Sequence, residues 1–473
     1  HRGFQAHFVD EILSSGQAAC LSWGICGVSL VQDPRLRHVT RKQDGMYVLG
    51  TREEEPMVRI IGAYCEHLFA PDQHASILDR LCSPSTKIVS VDDTIHVLSH
   101  GVLDESCEEV QADLAAMSAG PEGLYSHPLR TAAAYLAAAA LLRRRAQAPP
   151  LAVLGSSRAV PMAFAARAFG PELSQYIDEQ WGFPGSVCER IMYKMTPALM
   201  EDMQSSSGVA DRRPIACEPF VRWWLEDKFP GGRPAFDSVL NERCLFVEDT
   251  APFAELQVKV FEGARQAIAY AGLLRGFRTL QEACANQVLA DFLDKYLAVV
   301  MEHAVQPPPA LDLASYKEVT KHRLSQSGEE LLDLARDGCS KLHRNCMSCL
   351  PFLPKMDTAA VKPLVVLLCF WVRYLAFCKD ESETPYAHAA DARLSELQPL
   401  AETLWQNAVK SVRGEDGEVI RRQPPREEAK ALVLCAFPDT DLGPTVLVEV
   451  LASQIINLRA NDVDSFLTSA ARL

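Results

Sequence analysis

The pattern of apolar and polar positions changes near the middle of the chain. Up to about residue 250, short apolar segments that favour strands alternate with amphipathic helical segments. The predicted strands include WGICGVSLV, YVLGT, VRIIGAY, KIVSVD and PPLAVLGSS, and the chain opens on a predicted helix, HRGFQAHFVDEILSSG. Such alternation is typical of a parallel sheet with helices on both faces. The sequence therefore predicts an α/β domain over residues 1–250.

Beyond residue 250 the strand pattern stops and long helical patterns dominate. An all-helical second domain is predicted over 251–473. Its longest apolar run, Val361 to Phe377, contains Lys362 and Arg373 and is predicted to be a core helix rather than a membrane span. The segment from Lys410 to Arg426 is rich in Gly, Pro and charge, which predicts a surface loop.

The charge balance narrows the classes of partner. The 473 residues carry 47 Lys and Arg against 61 Asp and Glu, a formal net charge of −14. This balance argues against nucleic acid or an anionic membrane as partner, and the short basic run from Arg143 to Arg145 does not reverse it. A small neutral or anionic molecule stays possible, because a pocket can be locally positive.

The 15 cysteines are scattered rather than arranged as a disulfide framework, and no signal peptide is visible. A reducing, cytoplasmic location is expected, or an organellar one if a further segment precedes His1. Cys339, Cys346 and Cys349, with His343 between them, offer the nearest approach to a metal pattern. A single CxxC without a matching half favours buried thiols over zinc, so no metal is predicted.

A block in the middle of the chain combines four short motifs. It reads CEPF from Cys217, then WxxEDxF from Trp223, GRP at 232–234 and AxxYxG from Ala267. In this order and spacing, the motifs resemble the mannitol dehydrogenase family of polyol-specific long-chain dehydrogenases. The resemblance extends over essentially the whole chain and implies a Rossmann-like first domain, a helical second domain and NAD as cofactor.

The resemblance also implies where the cofactor should bind. The family places a glycine-rich GxGxF turn just before a His-Arg pair, and this sequence begins with that pair, at His1 and Arg2. The first strand and the phosphate-binding turn are therefore expected to be missing from the residues given, with Arg2 beside the cofactor. Asp33 falls near the position that contacts the adenosine ribose, where a carboxylate favours NAD over NADP. Alternatively, Asp33 is a solvated loop residue ahead of Pro34.

The family's catalytic positions are substituted in this chain. In the family a helix lysine is the general base, followed by an asparagine and a histidine near the substrate oxygen, and these positions hold Gln257, Glu262 and Arg265. A glutamine amide cannot take a proton at neutral pH as the lysine does. Lys259 lies only two positions beyond Gln257, and on an α-helix it is predicted to point away from the site.

Further positions of the family's site also differ. A second asparagine falls on Arg158, a glutamate falls near Ile95, and an aspartate of the substrate side becomes Glu189. Lys341 is retained where the family contacts polyol oxygens, or is a surface lysine at a helix end.

Three functions follow as alternatives. The first is a pseudoenzyme with a binding or structural role and protein partners, in which Glu262 and Arg265 form an ion pair that Arg158 could join. The second is an active NAD-dependent polyol or sugar-acid oxidoreductase with a rearranged site, whose new base would be Glu262, Glu189 or Lys341. The third is a site for an anionic metabolite, held by Arg158 and Arg265. The pattern of substitutions favours the first.

Overall fold

The chain folds as two compact units. The computed structural model describes residues 5–17, 22–31, 34–51, 57–92, 97–99, 101–309, 311–354, 357–409, 411–413, 419–421, 423–439 and 446–472. Contacts divide the chain into His1–Thr250 and Ala251–Leu473, which we call unit 1 and unit 2.

Unit 1 mixes short strands with helices. Its strands are β1 Ile25–Ser29, β2 Tyr47–Thr51, β3 Val58–Ile61, β4 Tyr64–Phe69, β5 Ile88–Ser90, β6 Leu98–Ser99, β7 Val102–Leu103, β8 Ala152–Leu154, β9 Ser186–Glu189, β10 Met192–Tyr193, β11 Ile215–Cys217, β12 Arg222–Glu226 and β13 Cys244–Val247. Its helices are α1 Gln5–Ser14, α2 Pro34–Lys42, α3 Ala70–Cys82, α4 Glu108–Met117, α5 Gly120–Gly123, α6 Ala132–Ala146, α7 Ala159–Phe169, α8 Pro171–Gln180, α9 Pro197–Ser207 and α10 Phe236–Leu240, followed by a short 3-10 turn at Asn241–Arg243.

The strand pairing of unit 1 is mixed. Parallel pairs join β1 to β4, β5 to β8, β2 to β11 and β12 to β13, as the alternating pattern predicts. Antiparallel pairs join β2 to β3, β10 to β11 and β9 to β12, which the prediction of a purely parallel sheet did not include. The connection between β2 and β3 is too short for the helical crossover that a parallel pair requires, so the two strands run in opposite directions.

The alanine-rich helix α6 forms the centre of an extensive hydrophobic core of unit 1. The hydroxyl of Thr131 caps its first turn by accepting from the Ala134 N–H at 3.2 Å. Eight of its residues from Ala133 to Ala140 are almost fully buried, and small side chains allow neighbouring elements to approach this closely.

Arg143, at the end of α6, is fully buried rather than part of a basic surface patch. Its guanidinium donates to the carbonyl oxygens of Leu81 at 2.6 Å, Ser83 at 2.9 Å and Pro149. Arginine suits this position because it presents five donors, and the ends of a helix and a turn supply acceptors. The side chain therefore joins α3, α6 and the approach to β8, and it is not available to a partner.

Helix α1 carries a network of charges that fixes it in place. The Glu11 carboxylate contacts His7 Nε2 at 2.8 Å and the guanidinium of Arg243 at 2.7 Å. Burial alone would raise the pKa of Glu11, but these two partners outweigh it and lower the pKa to about 2. The carboxylate is therefore ionised throughout the neutral and mildly acidic range.

Glu11→Gln should destabilise the folded state at neutral pH and have less effect in acid. The pKa of Glu11 in the folded state lies below the ordinary value of 4.5. The ionised carboxylate therefore contributes fully to folding stability above pH 4.5, and this contribution is lost as the pH falls towards 2. The shift corresponds to about 3 kcal/mol at pH 7. Urea unfolding of both proteins between neutral pH and pH 4 measures the difference. Glu105→Gln, which removes an exposed partner of Arg167, should have no measurable effect. A pH-independent difference for Glu11→Gln would contradict the assignment.

The motifs of the central block have structural roles in unit 1. Glu218 of CEPF accepts from the Ile191 N–H at 2.5 Å, and its own N–H donates to the Ile191 oxygen at 3.0 Å. Glu226 of WxxED accepts from the Gly185 N–H at 2.9 Å. Arg233 of GRP pairs with Asp227 at 2.9 Å. These contacts agree with the interpretation that the shared motifs mainly support packing and turns.

Unit 2 is largely helical. Its helices are α11 Ala251–Glu255, a π-helix Leu256–Glu262, α12 Gly263–Leu274, α13 Leu280–Ala285, α14 Gln287–His303, α15 Leu313–Gln326, α16 Leu331–Leu334, α17 Gly338–Asn345, a 3-10 helix Met347–Phe352, α18 Thr358–Ala376, α19 Leu394–Asn407, α20 Arg426–Ala436, α21 Leu447–Arg459 and α22 Val463–Arg472.

One part of unit 2 departs from the all-helical prediction. Strands β14 Ser411–Arg413 and β15 Val419–Arg421 form an antiparallel hairpin where a surface loop is predicted. Val412 lies opposite Ile420 in this pair, and β-branched residues favour extended backbone. Two three-residue strands are too short to produce a recognisable alternating pattern.

Helix α18 is long and apolar enough to cross a membrane, but 78% of its apolar window is buried inside the protein. Its residues pack against aromatic side chains of other helices; Phe370, for example, meets Phe292 and Phe466 with ring centroids 6.0 and 5.6 Å apart. These contacts agree with the prediction of a core helix.

Candidate functional site

The substituted catalytic positions lie on an unusual helical segment of unit 2. Residues Leu256–Glu262 form a π-helix between the α-helical segments α11 and α12. In a π-helix the hydrogen bonds join residues five apart, so side chains at i and i+5 lie near each other. Residues that are five apart, such as Gln257 and Glu262, therefore lie closer together around the axis of this segment than they would on a regular α-helix.

Lys259 lies within the same segment and has other partners. Its ammonium donates to the Ala304 oxygen at 2.9 Å, contacts Glu255 at 3.3 Å and lies 4.3 Å from the centre of the Phe352 ring. The residue is only 6% exposed. These contacts agree with the prediction that Lys259 does not replace the missing lysine at Gln257.

Glu262, Arg265 and Glu329 form a compact ion cluster, which we call the Arg265 cluster. One guanidinium nitrogen of Arg265 lies 2.7 Å from both carboxylate oxygens of Glu262, and the other nitrogen pairs closely with Glu329. The predicted ion pair between Glu262 and Arg265 is therefore confirmed. Glu329 was not predicted, because it is 64 residues away from Arg265 and no local pattern marks it.

The protonation of the Arg265 cluster follows from burial and charge. Burial alone would lower the pKa of Arg265, but the two carboxylates outweigh it and hold the pKa above its usual value. Burial raises the pKa of Glu329, and Arg265 and the Ser327 hydroxyl, which donates at 3.0 Å, oppose that rise. The guanidinium thus remains charged, with a carboxylate on each side.

Lys341 lies near the Arg265 cluster. It is half-buried on α17, and its ammonium donates to the Leu334 oxygen at 3.1 Å. Burial lowers its pKa, the charge of Arg265 lowers it further, and Glu262 acts in the opposite direction. The Gln266 amide, on the residue after Arg265, donates to the same Leu334 oxygen at 3.0 Å, so the structure places the Lys341 ammonium beside the part of α12 that carries Arg265. Gln257 is half-buried on the π-helix.

The predicted site residues of unit 1 have separate environments. Arg158 immediately precedes α7 and forms an ion pair with Asp178 at 2.7 Å, in which both side chains are about half exposed. Glu189 ends β9 opposite Arg222 of β12 and is fully buried. Arg2, Asp33 and Ile95 lie outside the described residues, so the predictions for them stay predictions.

The cysteines near residue 346 are buried in unit 2. The Tyr296 hydroxyl donates to Cys346 Sγ at 3.5 Å, and burial raises the pKa of Cys349 to about 12 and that of Cys339 to about 11. Thiols in such surroundings stay protonated and unreactive. Within the described ranges, the structure contains no grouping of His, Cys, Asp and Glu that could hold a metal ion.

Comparison with protein families identifies both units. The family model for the mannitol dehydrogenase Rossmann domain matches residues 1–238, and the model for the mannitol dehydrogenase C-terminal domain matches residues 249–417. The two matches together cover most of the chain.

Individual relatives agree with the family models. The chain is 26% identical over 441 residues to mannitol 2-dehydrogenase of Aspergillus terreus. The alignment covers 88% of this chain and 85% of the relative. It is also 26% identical over 456 residues to D-mannonate oxidoreductase of Escherichia coli, covering 92% and 90%.

Solved structures show the same similarity. The ternary complex of Pseudomonas fluorescens mannitol 2-dehydrogenase with NAD and D-mannitol matches with a TM-score of 0.76 and 26% identity, covering all of this chain and 92% of that one. A D-sorbitol dehydrogenase in substrate-free form matches with a TM-score of 0.79 at 21% identity and supports the fold alone.

Proposed function

We propose that this chain, which belongs to the mannitol dehydrogenase family, has lost the polyol dehydrogenase reaction and acts as a binding or structural protein. The reaction needs a base for the hydroxyl proton, donors for the developing oxyanion and a cofactor that accepts hydride. Unit 1 has the family's Rossmann fold, so NAD is the nucleotide to test. The proposal concerns the base for the hydroxyl proton and the donors for the developing oxyanion.

The Arg265 cluster is the observation that carries the proposal. Where the resemblance implies a lysine, an asparagine and a histidine, the chain has an amide, a carboxylate and a guanidinium. Arg265 makes short contacts to Glu262 and Glu329 through its two terminal nitrogens, so these donors are engaged within the protein, and its buried Nε–H has no hydrogen-bond partner among the described residues. Glu262 accepts these bonds and, when ionised, cannot donate to an oxyanion. Lys259 is buried against Ala304 and Phe352.

The alternative of an anion site formed by Arg158 and Arg265 has less support. Arg265 already has two carboxylate partners, and Arg158 pairs with Asp178. An incoming carboxylate or phosphate would have to displace these partners, and breaking the largely buried pairs of Arg265 is costly.

A second candidate function is an active NAD-dependent oxidoreductase for a polyol or a sugar acid, with Lys341 as the new base. The observation in its favour is that burial and the charge of Arg265 both lower the pKa of Lys341. A lysine with a lowered pKa is better suited to accept a proton near neutral pH. The similarity to a D-mannonate oxidoreductase makes a sugar acid a substrate to test.

The experiment combines calorimetric titration of NAD and NADH with an assay of NADH formation. Mannitol, sorbitol and mannonate are offered as substrates, and fructose with NADH tests the reverse reaction. Pseudomonas fluorescens mannitol 2-dehydrogenase is assayed in parallel as the positive control. We expect no turnover above background with any substrate, because the base and the oxyanion donors together account for factors of at least about 10⁴ in rate.

Turnover would contradict the proposal. In that case a Lys341→Met variant tests whether Lys341 is the catalytic base. If Lys341 is the base, the variant should lose activity by about 100-fold or more, and the pH–rate profile of the parent protein should show a base with a pKa below that of ordinary lysine. If activity survives in the variant, both candidate mechanisms are wrong.

A further inference from the structure

A groove lies on unit 2 among helices α14, α18 and α22, away from the Arg265 cluster in the sequence. Its volume is about 670 Å³, which falls within the range of about 300–1,000 Å³ of small-molecule sites. The stripe that α14 contributes runs from Val288 to Val299, and α18 contributes residues from Ala359 to Val366.

The floor of the groove is apolar. It includes Val288, Phe292, Val299, Val366 and Leu467. Of these, Phe292, Val366 and Leu467 are almost fully buried, so the helices beneath are fixed by core packing. A rigid apolar floor of this kind favours an alkyl group over a polar ligand.

Two lysines provide the charge at the groove. Lys295 on α14 is exposed, Lys362 on α18 is half-buried, and both line the groove. Burial lowers the pKa of Lys362, and the charge of Lys295 lowers it further. Among the described residues, neither lysine forms an ion pair with a carboxylate.

The acidic residues of the groove have other partners. Asp294 pairs with Lys317 at 2.9 Å and with Lys321 at 3.0 Å. Asp291 accepts from the Gln287 amide at 2.8 Å. The hydrogen bond from Gln287 does not neutralise Asp291, but among the described residues neither aspartate forms an ion pair with Lys295 or Lys362, so both ammonium groups can take an anionic partner.

We propose that this groove binds a medium-chain alkyl carboxylate, with the carboxylate between Lys295 and Lys362 and the alkyl chain on the apolar floor. From Lys295 to Val288 the groove follows α14 for two helical turns, about 10 Å, a length that suits a medium alkyl chain better than a long one.

Octanoate is the probe, added to the full chain and followed by titration calorimetry below its micelle concentration. We expect saturable binding of one octanoate. Lys295→Met and Lys362→Met should each weaken it by about tenfold or more, because a hydrogen bond to a charged group is lost. Ala298→Trp, which places a large side chain at an exposed position of the groove wall, should abolish it. Lys379→Met, which removes a lysine paired with Glu383 elsewhere, should have no effect.

Ligands with the same alkyl chain and different head groups distinguish the contribution of charge to binding from that of apolar burial. Octanol should bind more weakly than octanoate, and octylammonium should not bind. Any of three results would overturn the proposal: no saturable binding of octanoate, equal binding of octylammonium, or binding that survives Ala298→Trp. Self-association that Ala298→Trp abolishes would assign the groove to a second copy of the chain and would likewise overturn it. Circular dichroism of each variant verifies that the fold is retained.

Discussion

Replacing Arg265 by methionine should destabilise unit 2 by about 3–5 kcal/mol, because the change leaves two largely buried carboxylates without their cation. The side chains of Glu262 and Glu329 are 27% and 12% exposed. In the variant the two negative charges would lie close together in largely buried surroundings. Urea unfolding of the whole chain, followed by circular dichroism, measures the effect as an earlier transition of the helical unit.

The exposed pair of Arg158 with Asp178 provides the matched control. Both side chains of that pair are about half exposed, so Arg158→Met should cost less than about 1 kcal/mol. Arg265→Met should also regain stability as the pH falls from 7 towards about 5, since burial raises the pKa of Glu329 and a group with a raised folded pKa takes up its proton more readily in the folded state. Equal losses for the two arginine variants would show that the Arg265 cluster is not a buried charge network.

Gly155→Ala should destabilise unit 1 by about 4 kcal/mol or more, for two additive reasons. Gly155 has a φ of +77°, a conformation that alanine adopts only with strain. An added Cβ would also lie 2.3 Å from the Val91 carbonyl oxygen, so the backbone at the ends of β5 and β8 would have to move. That movement would disturb the hydrogen bond from the Val91 N–H to the Leu154 oxygen, now 2.8 Å.

Gly208→Ala separates the two contributions. Gly208 has a φ of +66°, but no atom lies within 4 Å of the position that its Cβ would occupy. This variant should lose stability only through the strain of the positive φ, which costs about 1–2 kcal/mol. Thermal unfolding of the two variants gives the comparison. If they lose the same stability, the contact with Val91 does not limit this turn.

The fold is largely accessible from the sequence because the local patterns are strong. The apolar strands and the long helices carry their own periodicity, and the core helix α18 is found where it is predicted. The hairpin at 411–421 is missed because its strands are too short to alternate visibly. The antiparallel pairs of unit 1 are missed because pairing direction depends on connection length and on neighbours distant in sequence.

The candidate site is accessible only in part. The pair of Glu262 and Arg265 is predicted because residues three apart are neighbours on a helix. Glu329 joins them from a different part of the chain, and such a contact leaves no local mark. The buried position of Arg143 is a similar case, since three adjacent arginines at the end of a helix would usually be solvated. The π-helix is not predicted either, because Leu256–Glu262 contains ordinary helix-forming residues, and its extra residue per turn is imposed by packing.

The π-helix has a consequence for how this part of the chain can change. Its buried residues Leu256, Val260 and Phe261 hold the wider turn from the side facing the core, so the polar side chains on the other side can be exchanged without altering the backbone. Removing a single residue should restore a regular α-helix and leave the two flanks nearly in place, because the wider turn of a π-helix accommodates one extra residue. Arg265 would then stay beside Glu329, and the core residues on either side would keep their register. The extra residue is thus confined to one turn, and a change of one residue in length there alters the side chains of that turn rather than the helices on either side.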